Sequence, residues 1–342
     1  MQSKVLIVGL TLLELKARCE EWGIKPFVAN QVFDWIFKKK VTSFSKMKNI
    51  AKQTQVILEE HAAISVFSHI ETLSSDEENA IKVIATLLDG KRLESVILTQ
   101  DDYYTLCVSS QCGCPVDCKF CLTGVAGFKR NLSAAEIVGQ ILQAEEMGYP
   151  ISNIVFMGMG EPLLNYEAVF KAIDILTAEY GFHISKRHIT VSTSGYIQGI
   201  KRLIQEEKVI NLAFSVGSAD PIKRIRLMPI EQRNPILEVA SLLHTYLSQH
   251  NRKLTLEYTL LEGVNDTAHD ILALVHLARY LNAKVNLINL NPHPKIPYKP
   301  VSHGTLMSIQ TQLKSEKIPV TIRYKKGQDI TAACGQLGES LL

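Results

Sequence analysis

The chain has 342 residues, enough for one large domain with a smaller companion. Its 46% hydrophobic and 21% charged residues are ordinary for a globular protein, and no apolar run approaches the ~20 residues of a membrane span. A net charge of +3, from 37 basic and 34 acidic side chains, points to nucleic acid only if the basic residues gather on one face. The early apolar stretch from Val5 to Leu13 runs directly into Glu14, Lys16, Arg18, Glu20 and Glu21, with no small-residue cleavage site. It reads as ordinary structure, so the expected location is cytoplasmic, with no membrane partner.

Residues 1–64 read as a helical accessory module. Thr11 caps a helix that runs to Trp22, with Gly23 as its stop. A second helix spans Pro26 to Lys39, and a third runs from about Phe44 through Glu60. Lys38, Lys39, Lys40, Lys46 and Lys48 form either a solvated basic face or an RNA contact. Residues 65–99 read as a β-hairpin connecting region. Apolar runs at Ile81–Leu88 and Leu93–Leu98 flank the turn dipeptide Asp89-Gly90, and Thr105–Val108 is the next extended run.

From residue 100 to 342 strand and helix alternate. The predicted strands are 153–157, 188–193, 210–216, 254–260, 284–290 and 319–324. Ser133 and Glu136 make a capping box that opens a helix to about Met147. Further helices are predicted at 167–178, 196–206, 235–249, 267–280 and 304–315. This is the α/β pattern of a parallel sheet with helices outside, whose chemistry gathers at the C-terminal strand ends.

Seven cysteines, four of them within ten residues, make a poor disulfide framework and a good cofactor site in a reducing compartment. Cys114, Cys118 and Cys121 are spaced to ligate three irons of a [4Fe–4S] cube, which leaves the fourth iron open. A structural zinc needs a fourth closed ligand, and Cys112, one residue from Cys114, closes a tetrahedron awkwardly. The loop Gly158–Pro162 follows a strand. Its glycines allow close backbone approach, and Glu161 can accept hydrogen bonds from an ammonium group. Ser192 and Ser215 fall at later strand ends, where they either bind a ligand or cap the strand. Cys107 and Cys334 are, on residue type alone, packed thiols. Cys334 stands out because it precedes a glycine-containing segment that could move. Cys19 reads as a core residue, and Cys112 has no assigned role. Asn291 precedes a proline and reads equally as a turn former.

The spacing of the three cysteines, with Phe120 before the last, resembles the radical S-adenosylmethionine superfamily. The segments Thr105–Gln111, Gly127–Leu132, Gly158–Asn165 and Ala332–Leu337, in this order, resemble the RlmN/Cfr family, from about Lys25 to the C-terminus. The resemblance implies a partial (β/α)6 barrel with a small N-terminal helical domain and a β-hairpin extension. It also implies a [4Fe–4S] cluster on Cys114, Cys118 and Cys121, and S-adenosylmethionine, two per turnover. Gly160, Glu161, Ser192, Ser215, Val216, Gly217 and Asn291 match the cofactor-binding positions.

The activity so implied is methylation of an adenine ring carbon in 23S rRNA, at adenosine 2503, with adenosine 37 of tRNA as a second substrate left open. In the family one S-adenosylmethionine methylates a cysteine, which matches Cys334. A deoxyadenosyl radical made from a second then removes hydrogen from that methyl group, and the resulting carbon radical adds to the base. A second cysteine, matching Cys107, attacks the Cys334 sulfur and releases product as a disulfide forms. Glu94 matches the carboxylate assigned to remove the ring proton. A low-potential donor such as flavodoxin or ferredoxin is also implied.

Two departures stand out. The family's histidine after the 210–216 strand is Gly217 here, so contacts at Val216 and Gly217 could only be made through backbone. A family Ser-Asp-Gly-Thr stretch reads Ser75, Asp76, Glu77, Glu78. The proline after Glu161 and the run Leu163–Asn165 favour carbon 2 of adenine. Ser110–Gly113 and Leu227–Ile230 hint at carbon 8, the Cfr type. A different class is an RNA-binding protein with a structural metal centre and no catalysis. Arg323, Lys325 and Lys326, with Lys186, Arg187, Lys223, Arg224 and Arg226, are expected to line an RNA-facing surface or to be solvated charges.

Overall fold

A computed structural model describes residues 4–75, 79–100, 102–250, 252–323 and 326–342. The altered stretch at Asp76–Glu78 and the basic Lys325 lie outside the described residues.

The N-terminal part begins with β1 (Val5–Leu6), which pairs in parallel with β2 (Ala62–Ala63). Between them come α1 (Leu12–Glu21), α2 (Phe27–Phe37) and α3 (Lys52–His61). Thr11 and Glu14 form the capping box that starts α1. The expected long third helix is broken. Its first part is a single 3-10 turn, Phe44–Lys46, and α3 begins only at Lys52. Met47 and Ile50 are buried at 0% and 5% exposure, and the chain dips between them to insert both side chains. Gln55 Nε2 ties the dip to α3, donating to Met47 O and Ile50 O at 3.0 Å each, while Ile50 N also donates to Met47 O. Tertiary burial overrides local helical propensity there.

The expected basic face also changes. Lys40 turns inward over the Phe182 ring and pairs with Glu145 at 3.2 Å, while Lys46 and Lys48 stay exposed. Lys171 pairs with Glu14 at 2.7 Å, a second tie between the N-terminal helices and the rest of the molecule.

One ten-stranded sheet carries the remainder. It starts with an antiparallel extension: β3 (Phe67–Ser75), β4 (Ala80–Leu87), β5 (Arg92–Thr99) and β6 (Tyr104–Cys107). Gly90, at φ +80°, makes the tight turn between β4 and β5. The short strands β7 (Gln111–Cys112) and β8 (Arg130–Asn131) pair with each other beside it. From β6 the sheet continues in parallel through β9 (Ile151–Phe156), β10 (Ile189–Thr193), β11 (Asn211–Ser215), β12 (Thr255–Leu260), β13 (Lys284–Asn289) and β14 (Val320–Arg323). The crossovers contain α4 (Leu122–Ala126), α5 (Ala134–Glu146), α6 (Tyr166–Thr177), α7 (Ile197–Gln205), α8 (Pro221–Leu227), α9 (Ile236–His250), α10 (Ala268–Tyr280) and α11 (His303–Ser315).

Six strand–helix units are thus closed by a further strand, the partial (β/α)6 barrel. The curl is visible in the lining of one cavity, where Leu98 of β5 and Cys107 of β6 face Ile288 of β13 and Arg323 of β14. The helices bury apolar faces against continuous Val/Ile/Leu strands, as parallel sheets require. Helix α8 was not expected from periodicity; Asp220 accepts from Ile222 N at 2.8 Å to cap it, with Pro221 at its first position. No helix among the described residues is long and apolar enough to cross a membrane.

Candidate active site

Two adjoining cavities, of about 340 and about 170 Å³, open at the C-terminal ends of the parallel strands. Cys121, Met157, Arg323 and Cys334 line both.

Cys114, Cys118 and Cys121 all line the smaller cavity, on the loop between β7 and α4. Gly113 makes the loop possible. Its φ is +74°, and a Cβ there would lie 1.7 Å from Gly127 O, so no larger residue fits. Lys119 N donates to Leu227 O at 2.9 Å, and Cys121 N donates to Cys118 O at 3.1 Å, which pins the loop to α8. Burial pushes the thiols of Cys114 and Cys118 well above the ordinary range, and their neighbouring sulfurs push them further. Three soft donors that repel one another as thiolates and face one cavity are a donor set for a cationic thiophilic group. Among the described residues no three His, Cys, Asp or Glu side chains close around a point tightly enough for a single metal ion.

The opposite shelf is polar. Ser192 Oγ and Ser215 Oγ lie 3.3 Å apart at the ends of β10 and β11, and both line the smaller cavity. The strand register sets Thr259 of β12 beside Ile288 of β13, and Ile288 beside Arg323 of β14; all three face this cavity. Glu257, which sequence reasoning missed, is a buried carboxylate in the same wall. It is pushed up by burial and accepts a hydrogen bond from Asn286 at 2.8 Å. Nothing in a lone strand glutamate distinguishes it from a solvent-facing one.

Glu161 is buried on the cavity wall, but its carboxylate is already engaged. It accepts from Leu163 N at 3.1 Å, Ser194 N at 2.7 Å and Ser194 Oγ at 2.6 Å. Its main effect is therefore to bind the Gly158–Pro162 loop to the end of β10. Gly160 lines the cavity at φ +103°, and a Cβ there would meet Gln111 Cβ at 2.6 Å, so the glycine serves packing against β7.

Val216 does not reach the cavity. It is fully buried, its N–H donates to Glu257 O, and its carbonyl accepts from Arg224 Nε and Ser218 N, so the expected backbone contact is not available. Gly217 does line the cavity, at φ +66°; its missing Cβ would lie 2.4 Å from Met228 Sδ, which occupies that space.

Cys107, at the end of β6, and Cys334, in the C-terminal tail, line the larger cavity together as free thiols. Burial pushes the Cys107 thiol up to about 12, the charge of Cys334 adds to this, and Arg323 opposes it. Asn291 Nδ2 donates to Cys334 O at 3.0 Å, while Asn291 Oδ1 is buried without a partner, an acceptor left for a donor in the cavity.

Three expectations are corrected by this geometry. Arg323 is partly buried between the two cysteines instead of facing RNA phosphates, with Met157 Sδ at 3.3 Å. Arg224 is fully buried, pairs with Glu231, and donates to Val216 O and Ser194 O. Lys223 is tied to buried Asp270 at 2.7 Å. The predicted basic surface is thereby reduced to Lys186, Arg187 and Arg226 among the described residues, with Lys326 bonded to Thr99 O at 3.0 Å. Glu94 lines neither cavity; it is fully buried and binds the tail. Cys112 and Cys19 are both core residues at 0% exposure.

A curled parallel sheet with three cysteine sulfurs at its mouth and a serine and carboxylate shelf in the same cavity fits the class of radical S-adenosylmethionine enzymes. Residues 108–278 match the model of the Radical SAM superfamily, and residues 5–64 match that of the ribosomal RNA large subunit methyltransferase N-terminal domain. A probable dual-specificity RNA methyltransferase RlmN of Aquifex aeolicus is 43% identical over 337 residues, covering 97% of this chain and 96% of its own. Its counterpart in Clostridium perfringens strain SM101 is 39% identical, covering 98% and 97%. The crystal structure of a radical SAM methyltransferase from Sphaerobacter thermophilus superposes with a TM-score of 0.93 at 37% identity, covering 97% of this chain and 99% of that one. The chain belongs to the RlmN family of radical S-adenosylmethionine RNA methyltransferases. Its cofactors are a [4Fe–4S] cluster and S-adenosylmethionine, and its substrate is RNA.

Proposed function

We propose that this enzyme methylates carbon 2 of an adenosine in 23S rRNA, adenosine 2503, and also adenosine 37 of tRNA. The dual specificity carried in the names of its relatives supports the second substrate. The observation that carries the mechanism is the meeting of Cys107 and Cys334 in one cavity that also includes Cys121. In this reading Cys114, Cys118 and Cys121 hold the cluster. Gly160, Ser192, Ser215, Gly217, Glu257 and Asn291 line the space for S-adenosylmethionine. When bound, these groups supply a methyl group and a radical able to abstract hydrogen.

Cys334 receives the methyl group on its sulfur and presents that carbon to the base. The base becomes linked to the protein through the Cys334 carbon. Restoring the ring after this link forms releases the ring proton and one electron, which the cluster would take. The Cys107 thiolate then attacks the Cys334 sulfur, forming an S–S bond and breaking the S–C bond, whose electron pair stays with the carbon on the base and takes up a proton to complete the methyl group. Arg323, beside both thiols, favours the thiolate that makes this attack. Residues 1–64 act as an RNA-contacting module, 65–99 as a connector and 100–342 as the catalytic core. A flavodoxin or ferredoxin supplies electrons. A reducing cytoplasm restores the dithiol between turnovers.

Nucleoside mass spectrometry of rRNA and tRNA from cells with and without this enzyme tests the proposal. The expected product is 2-methyladenosine in both RNAs. Finding 8-methyladenosine instead would overturn the regiochemistry, and finding neither would overturn the activity.

A further inference from the structure

The tail that carries Cys334 is held on both sides of that residue by one buried ion pair in the antiparallel extension. Lys82 of β4 and Glu94 of β5 are 1% and 0% exposed, with Lys82 Nζ 3.1 Å from Glu94 Oε2. Lys82 pairs across the ladder with Val96, and Glu94 with Ile84, so the two charged residues are diagonal neighbours on one face of the sheet. Lys82 Nζ also donates to Thr331 O at 3.2 Å, just before Cys334. Glu94 accepts from Gly338 N at 2.9 Å and Ser340 N at 2.8 Å, just after it.

Thr331 and Gly338 both have positive φ, 54° and 108°, so the chain turns sharply at the two places where the pair takes hold. Between these grips the tail meets the site itself. Leu122 N donates to Gly335 O at 2.7 Å, Thr123 Oγ1 donates to Leu337 O at 2.5 Å, and Asn291 reaches Cys334 O.

A buried ion pair is tolerable only when its remaining protons and lone pairs find partners, and here the backbone of the tail supplies them. Neither side chain lines the cavities in which the cysteines meet. We propose that Lys82 and Glu94 form a latch that docks the 331–340 loop and so positions Cys334 over the cavity. Glu94 acts in this latch as a positioning residue, through Gly338 N and Ser340 N. The consequence for turnover rests on the reading of Cys334 as methyl carrier; the latch itself does not.

Hydrogen exchange read by mass spectrometry on the full-length protein tests it, with Lys82→Met, Glu94→Gln and the double variant Lys82→Met/Glu94→Leu. Peptides covering residues 331–342 should exchange at least about tenfold faster in all three, while those from β12 and β13 stay as in the parent. The single variants leave an uncompensated buried group and lose stability. The double variant removes both charges, so the core is retained while the tail has neither donor nor acceptor. Cys334 should also become more reactive to iodoacetamide in the double variant. Unchanged tail exchange in the double variant would overturn the latch. So would a fully protected tail in Glu94→Gln, whatever its turnover. If the tail is released as expected but Cys334 of the parent protein never acquires a methyl group in the presence of S-adenosylmethionine, the latch stands and the carrier reading fails.

Discussion

The cysteine loop and the cysteine pair build the same pair of cavities in opposite ways. Cys114, Cys118 and Cys121 come from one short turn, fixed by Gly113 and by a backbone bond to α8. Cys107 and Cys334 come from the first parallel strand and the C-terminal tail, and they meet only because the tail is docked by side chains from three other regions. A local site survives as long as its turn does. An assembled site fails whenever any of its distant supports is lost.

The largest effect should come from the local wall. Cys118→Ala removes one of three donors, and formation of 5′-deoxyadenosine from S-adenosylmethionine by the reconstituted protein should fall to background. Persistent cleavage would show that the loop is not the cluster site. Next is the support beneath that wall. Arg224→Leu leaves the Glu231 charge buried with only Ile236 N to bond it and strips hydrogen bonds from Val216 O and Ser194 O, at a cost of about 3–5 kcal/mol in chemical denaturation. A loss under 1 kcal/mol would mean that Ile236 N alone suffices for the Glu231 carboxylate. Gly217→Ala is smaller, roughly 1–3 kcal/mol, because its Cβ must displace Met228 and adopt positive φ. A histidine at this position meets the same obstacle unless Met228 is shortened too.

The assembled wall should be the one that feels pH. Burial holds the Cys107 thiol near 12, far above neutral, so only a small thiolate fraction is present and that fraction grows tenfold per pH unit. Release of RNA from a linked Cys334 should therefore accelerate about tenfold between pH 7 and pH 8 in single-turnover experiments. A flat profile would place another step, or another nucleophile, in control.

Sequence patterns disclosed the two walls unequally, for the same reason. The three cysteines, the helix cap at Thr11, the capping box at Ser133 and the β9–β14 alternation are local signals, and the structure matches the predicted element boundaries within a residue or two. The break before α3 was hidden because Met47 and Ile50 are pulled into the core by contacts that no local pattern records. Charge sign also misleads. Arg224 and Arg323 look like surface cations, yet one is buried against Glu231 and the other faces two thiols. Glu94 and Lys82 sit in strands where a charged residue ordinarily marks the solvent face. Their mutual ion pair and the backbone of the docked tail supply the partners that burial requires. Glu257 and the closed backbone of Val216 depend likewise on neighbours brought in by the sheet register.

The central claim is that the methyl carbon reaches RNA while attached to Cys334 and is released by Cys107. The most direct measurement expresses Cys107→Ala and resolves it on a denaturing gel, with and without ribonuclease. The account predicts a slowly migrating protein–RNA species that collapses on ribonuclease treatment, and a Cys334 peptide bearing a nucleotide through one added carbon. A preparation free of linked RNA that still methylates its substrate would contradict it.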